Sequence, residues 1–149
     1  MRIYADSSFL VSCLYRPDPG HRGAKAFFLK HAADEWLTSS WSQLETINGL
    51  RQLSRSKPGP SPSLAEALRR LFKHWHEAGN FFFEETDADQ AVNDAAQISA
   101  ALGSRFRIRA ADLLHVELLE QINPDLFVTR DKDQHRLASA RAFNSQFVP

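Results

Sequence analysis

The chain has 149 residues, a hydrophobic fraction of 43%, eleven Phe and a formal net charge of zero. That length suits one domain with a substantial core, and the composition excludes a disordered chain. A single cysteine, Cys13, excludes an internal disulfide and a cysteine-built zinc site, and no apolar run approaches the ~20 residues that span a bilayer.

Strand-like and helix-like stretches alternate along the chain. Arg2 to Ala5 reads as a short strand, and Ser7 or Ser8 can cap a helix running to about Tyr15. The breakers Pro17-Asp18-Pro19-Gly20 end that helix, and His21 to Ala33 reads as a second one. Glu35 to Thr38 is the next strand candidate. Ser39 or Ser40 then caps a helix with Trp41, Leu44, Ile47 and Leu50 on one apolar stripe. Lys57-Pro58-Gly59-Pro60-Ser61-Pro62 reads as a turn between two antiparallel helices. Ser63 and Glu66 have capping-box spacing, and Leu64, Leu68, Leu71, Phe72 and Trp75 form a second stripe. Phe81-Phe82-Phe83 reads as a buried strand, and Asp87 with Gln90 as a cap for a helix reaching about Leu102. Ala110 to Ile122 is a further helix, stopped by Asn123-Pro124. Leu126 to Thr129 reads as a strand, Asp131 to Ala140 as a helix and Ser145 to Val148 as a closing strand.

Strands separated by helices predict a mostly parallel α/β sheet with helices on both faces. In such sheets ligands gather at the carboxyl ends of the strands. Asp6 follows the first strand and Asp131 follows the strand at Leu126–Thr129; Glu45 and Asp112 lie near the starts of helices. Singly, each acid suits a helix cap or the positive end of a helix dipole. Together, carboxylates converging at one sheet edge repel each other unless a cation neutralises them. Hard oxygen ligands favour Mg²⁺ or Mn²⁺ over zinc, and such a site suits phosphodiester hydrolysis.

The stretches IYADSSFLV, TSSWSQLETINGL, RAADLLHVELLE and LFVTRDKDQHRLA, in this order and spacing, resemble those of PIN domains, and specifically VapC-type toxins of toxin–antitoxin pairs. The resemblance implies a single PIN-like domain over residues 1–149, with a helical clip around residues 40–78 bordering the groove that takes the antitoxin. It further implies a metal-dependent endoribonuclease acting on single-stranded or loop RNA, Mg²⁺ or Mn²⁺ as cofactor, and a homodimer. Carried over by position, Asp6, Glu45, Asp112 and Asp131 form the acidic metal-binding quartet, supported by Ser7 and Thr129. Asp133 competes with Asp131 for the last place, and Arg130 stands where the family favours a small or polar residue.

Residues 51–76 carry six basic side chains against Glu66 alone, and residues 77–94 carry six acids and no base. Arg51 and Arg55 are therefore candidates for RNA backbone contacts, although a solvated helix face explains the same charges. Arg109, one turn before Asp112, can pair with that acid or with an RNA phosphate. His115, one turn after it, suits a hydrogen-bonded structural role better than a ligand. Trp36, Trp41 and Trp75 can stack on bases or pack in the core, with core packing favoured for at least two of them. Cys13, set among Phe9, Leu10, Val11 and Leu14, reads as a buried inert thiol. The start MRIYADSS lacks the apolar core of a signal peptide, and the expected location is the cytoplasm, away from membranes. A catalytically silent PIN-like module binding RNA or protein is the alternative reading. A phosphatase-type hydrolase with Asp6 as nucleophile is disfavoured because position 8 is Ser8, not a second acid.

Overall fold

Each of the first four strands of this chain is followed by a helix, and that alternation builds the fold. In the computed structural model, which describes residues 1–56, 59–102 and 106–149, β1 (Arg2–Ala5) leads to α1 (Ser7–Leu14) and α2 (His21–Lys30). Next, β2 (Glu35–Thr38) leads to α3 (Ser40–Leu53) and α4 (Pro62–Glu77). A two-residue β3 (Phe82–Phe83) precedes α5 (Ala88–Leu102) and α6 (Ala110–Ile122), and β4 (Leu126–Thr129), α7 (Lys132–Ala140) and β5 (Ser145–Phe147) complete the order. All strand pairs are parallel, in the order β3-β2-β1-β4-β5.

Alternation along the strands divides the core in two. Ile3 and Ala5 of β1, Trp36 of β2 and Val128 of β4 pack on one face against Phe9 and Leu10 of α1, Ala24 of α2 and Phe72 of α4. Tyr4, Leu37 and Phe127 face the other way, onto Ala91 and Ala95 of α5, Leu118 of α6 and Leu137 of α7. The sheet is thus covered on both faces, which is why residues 3–5 of β1 and 126–128 of β4 are apolar without alternation. Cys13 is a buried free thiol, pushed up to about 12 by burial, as its neighbours implied. Among the described residues no helix is long and apolar enough to cross a membrane.

The chain winds from β1 outward to β3, then returns to place β4 on the opposite side of β1. The reversal between β1 and β4 opens a crevice at their carboxyl ends, the usual ligand position in such sheets. Arg130, just past β4, fastens the rim of that crevice. Its guanidinium donates to Asp18 (2.7 Å), to Ser12 Oγ (2.8 Å) and to the Val148 carbonyl (3.3 Å). Gly20 leaves room for this guanidinium, since a Cβ there would stand 1.7 Å from Arg130 Cζ and displace it from these bonds.

Several local expectations are corrected. The cap of α1 is Asp6 itself, not Ser7 or Ser8, and α2 ends at Lys30 rather than Ala33. Ser61, not Ser63, caps α4, because Pro62 takes the first helical position, where a missing N–H costs nothing. Glu66 pairs with Arg69 instead of closing a capping box. Only Phe81 of the Phe81–Phe83 run is buried; Phe82 and Phe83 are each half exposed on the edge strand. On α3 and α4, Leu50, Leu68 and Phe72 are buried, but Leu44, Ile47, Leu64 and Leu71 are exposed. β5 stops at Phe147, one residue short of Val148. The turn residues Lys57 and Pro58 lie outside the described residues.

Candidate active site

Asp6 leaves β1 as its amide donates to the Val128 carbonyl at 3.1 Å, so the residue is fixed beside β4. Its side chain caps α1: Oδ1 accepts from the Phe9 amide at 2.9 Å, the Ser8 hydroxyl reaches both oxygens at 2.7–2.8 Å, and Oδ2 accepts from Thr129 Oγ1 at 2.9 Å. The carboxyl is 1% exposed. Burial pushes its pKa above the ordinary carboxylate value, opposed by the positive charge of His115 and by the donors just named. Cap and candidate ligand are therefore the same side chain: the cap uses one oxygen's bonds and aims the group at the crevice.

Asp131 repeats the arrangement at β4. Its Oδ1 accepts from the amides of Asp133 (2.8 Å) and Gln134 (3.0 Å) as the cap of α7, and its own amide donates to Thr129 Oγ1 at 2.9 Å. Thr129, fully buried, thus couples the two aspartates. Asp133 turns outward and pairs with Arg136 at 3.4 Å. Asp112, in the first turn of α6, is 7% exposed. Arg109 grips it with two bonds, Nε to Oδ2 at 2.7 Å and Nη2 to Oδ1 at 3.0 Å, while Gln134 Nε2 adds a bond to Oδ1 at 3.3 Å.

Glu45 comes from the second turn of α3. Its Oε2 accepts from Ser7 Oγ at 3.1 Å and meets His115 Nε2 at 2.5 Å. Burial alone would raise its pKa, but the hydrogen bond and charge of His115, the Ser7 hydroxyl and the charge of Arg109 outweigh it and hold the carboxyl below its ordinary value. Since the carboxylate can only accept, His115 Nε2 carries a proton. His115 is fully buried, and its Nδ1 lies 3.2 Å from the Tyr4 hydroxyl, which lies 2.9 Å from Ser39 Oγ. Ser39 is the cap of α3, closing a box with Ser42. This chain from helix cap to imidazole orients Glu45.

All four acids line one cavity of about 220 Å³, together with Ser7, Arg109 and Gln134; Asn48, Gly49 and Gln52 form its α3 wall. Arg51 and Arg55 lie off this wall: Arg51 is turned onto Asn48 Oδ1 at 2.8 Å, and both are exposed. Gln134 and Ser8 are polar partners that the sequence reading did not place at the acids, and His115, read as a hydrogen-bonded histidine one turn after Asp112, meets Glu45. For Gln134 a signal existed, since it stands three residues after a capping aspartate, where a side chain folds back toward the cap.

The donor set is hard oxygen only, which fits Mg²⁺ or Mn²⁺. Among the described residues no three His, Cys, Asp or Glu side chains gather closely enough to share one ion. Mg²⁺ tolerates such spacing, because it commonly keeps several waters and uses one or two carboxylates.

The PIN domain family model matches residues 3–140. Among curated protein sequences none matches the chain. Solved structures share its fold: VapC20 of Mycobacterium tuberculosis, a Sarcin-Ricin loop cleaving toxin, is 18% identical over 95% of each chain with a TM-score of 0.68. VapBC2 from Rickettsia felis, bound to a DNA fragment from their promoter, is 13% identical over 100% of each chain, with a TM-score of 0.69. FitAcB from Neisseria gonorrhoeae is 16% identical over 96% of this chain and 95% of that chain, with a TM-score of 0.62. With its parallel sheet, its crevice at β1 and β4 and a family match over nearly its whole length, the chain belongs to the PIN domain family.

Proposed function

We propose that the chain is a divalent-metal-dependent endoribonuclease of the VapC type, hydrolysing phosphodiester bonds in single-stranded or loop RNA as the toxin of a toxin–antitoxin pair. The observation that carries this reading is the convergence of Asp6, Glu45, Asp112 and Asp131, from four separate elements, on one cavity at the switch point of the sheet. Likeness to VapC20 adds weight.

Asp6, Asp112, Asp131 and Glu45 are the groups to hold Mg²⁺ or Mn²⁺. When bound, such an ion acidifies water and neutralises charge on phosphate oxygens. The protein's own part is to aim the carboxylates and to supply donors to their charged forms. Every hydrogen bond to the Asp6 carboxylate is donated to it, which partly offsets the burial that disfavours its ionised form. His115 and Ser7 do the same for Glu45. Thr129 locks Asp6 and Asp131 in register.

An antitoxin and a second copy of the chain belong to the same proposal. For the antitoxin, the helical clip around residues 40–78 offers the larger groove, about 720 Å³ between α3, α4 and β3. Apolar Ile47, Phe72 and Phe83 line it beside Arg69, Arg70 and Lys73, which outnumber the Glu66 that pairs with both arginines, so the groove suits a segment with apolar anchors and acidic flanks.

The test is mixed cellular RNA with Mg²⁺ or Mn²⁺, against EDTA, with Asp131→Asn and Asp133→Asn alongside. Asn caps a helix as well as Asp does, so α7 is retained in the first variant. Loss of a residue that merely orients a metal ligand costs about 10–100-fold, so Asp131→Asn is expected to lose more than about 100-fold. Asp133→Asn is expected to stay within about twofold, its carboxylate being on the surface. Undiminished cleavage in EDTA or in Asp131→Asn would refute the proposal, and RNA binding without metal-dependent cleavage would identify a silent module.

A further inference from the structure

We infer that Arg109 is a tethered counter-ion of the acidic site, whose guanidinium occupies the cation's place between Asp112 and Asp131 and must be displaced for a divalent ion to bind. The inference rests on the metal-site reading above and concerns how that site is regulated.

Arg109 immediately precedes α6, and its side chain makes no capping bond to it but is committed to the acids instead. The two bonds to Asp112 occupy both carboxylate oxygens, the bidentate geometry in which a guanidinium binds a carboxylate most strongly. The same Nη2 stands 3.8 Å from Asp131 Oδ2, the oxygen not used in capping α7. One fork therefore bridges two of the four acids and supplies positive charge within the cavity.

Exposure decides the ease of exchange. The Arg109 side chain is 79% exposed and that of Asp112 only 10%. The guanidinium can leave for water at little desolvation cost, whereas Asp112 cannot follow and needs a replacement counter-charge. A divalent ion arriving at Asp112 would share carboxylate oxygens with the guanidinium and repel it, so the two cations exclude each other. Arg109 also explains why a site with four acids holds together without metal: like charges converging there are partly neutralised from within the chain.

Mn²⁺ binding to the whole chain, stripped with EDTA and then dialysed free of it, is to be measured by titration calorimetry, with melting in EDTA as the second readout. Arg109→Gln is expected to bind Mn²⁺ about tenfold more tightly than the parent, within the usual range of coupling between competing sites, and to melt at a lower temperature in EDTA. Arg109→Lys, which keeps the charge but loses the fork, is expected to fall between the two. Arg109→Gln binding Mn²⁺ no more tightly than the parent would overturn the inference while leaving the metal site intact. If Asp112→Asn bound Mn²⁺ as the parent does, both this inference and the metal-site assignment would fall.

Discussion

Asp6→Asn is expected to reduce metal-dependent RNA cleavage by about 10³-fold while the metal-free protein melts at the same temperature or higher. A bound metal contributes several kcal/mol of charge stabilisation to such a reaction, and each about 1.36 kcal/mol is a factor of ten. Removing the most deeply buried of the four acids therefore costs several factors of ten. The fold has less reason to suffer. Asn accepts from the Phe9 amide as Asp does, and its Nδ2 can donate to Thr129 Oγ1, whose own proton then serves Gln134. Stability also gains from the lost charge. Burial holds the Asp6 carboxyl above its ordinary 3.8, so the folded chain binds more protons than the unfolded chain over the interval above that value. Stability contributed by such a group falls as pH rises through the interval. Melting curves in EDTA from acid to neutral pH are expected to show this decline in the parent and a shallower one in Asp6→Asn. An inactive variant that melted far below the parent would instead make Asp6 a structural cap alone.

Asp6, Asp112 and Asp131 were legible because each stands at a place that backbone pattern defines, whereas Glu45 lies inside α3, where pattern alone singles out no position. Asp6 and Asp131 follow short apolar runs, and Asp112 opens a helix whose limits, Ala110 and Ile122, agree with the structure. That helix ends at Asn123 in the left-handed conformation, with φ 45°, directly before Pro124, so its stop was readable too. Asp131 and Asp133 could not be separated by spacing, because the choice depends on which of them caps α7. Partners were harder still. His115 meets Glu45 across 70 residues of chain, and Gln134 meets Asp112 across 22; no periodicity encodes such pairs. The same limit applies to Leu44, Ile47, Leu64 and Leu71. Helical spacing puts apolar residues on a stripe, but whether another element covers the stripe is a property of topology. α3 and α4 pack on each other and leave part of both stripes open. Phe82 and Phe83 are exposed for a related reason: β3 is an edge strand, which a run of three Phe does not announce.

Trp36→Ala is expected to cost about 3–5 kcal/mol, the usual loss for a large aromatic removed from a core. A domain of ordinary stability has about 5–15 kcal/mol in total, so this one change removes about a fifth of it or more. Trp36 is 2% exposed. Its indole stacks on Phe9 with centroids 5.4 Å apart, meets Phe28 at 4.9 Å and has Phe27 and Phe81 at 6.3 and 6.2 Å, mostly edge-on. Nε1 donates to the His31 carbonyl at 2.9 Å. Truncation leaves a void between β2, α1, α2 and Phe81 and an unpaired carbonyl, and the void cannot collapse because its walls are held by other contacts. Trp36→Phe retains much of the stack and loses the hydrogen bond, so about 1–2 kcal/mol is expected from that change. Urea unfolding with an unchanged slope separates these values. The position also bears on the cavity, since β2 runs from Trp36 through Thr38 to Ser39, the cap that starts the helix carrying Glu45. Of the three tryptophans, Trp36 and Trp75 belong to the same aromatic cluster. Trp41 is half buried, with its indole N–H on the Ala111 carbonyl at 3.3 Å, one residue from Asp112. A Trp36→Ala loss below about 1 kcal/mol would contradict the core assignment and return this indole to the surface, where base stacking was the competing role.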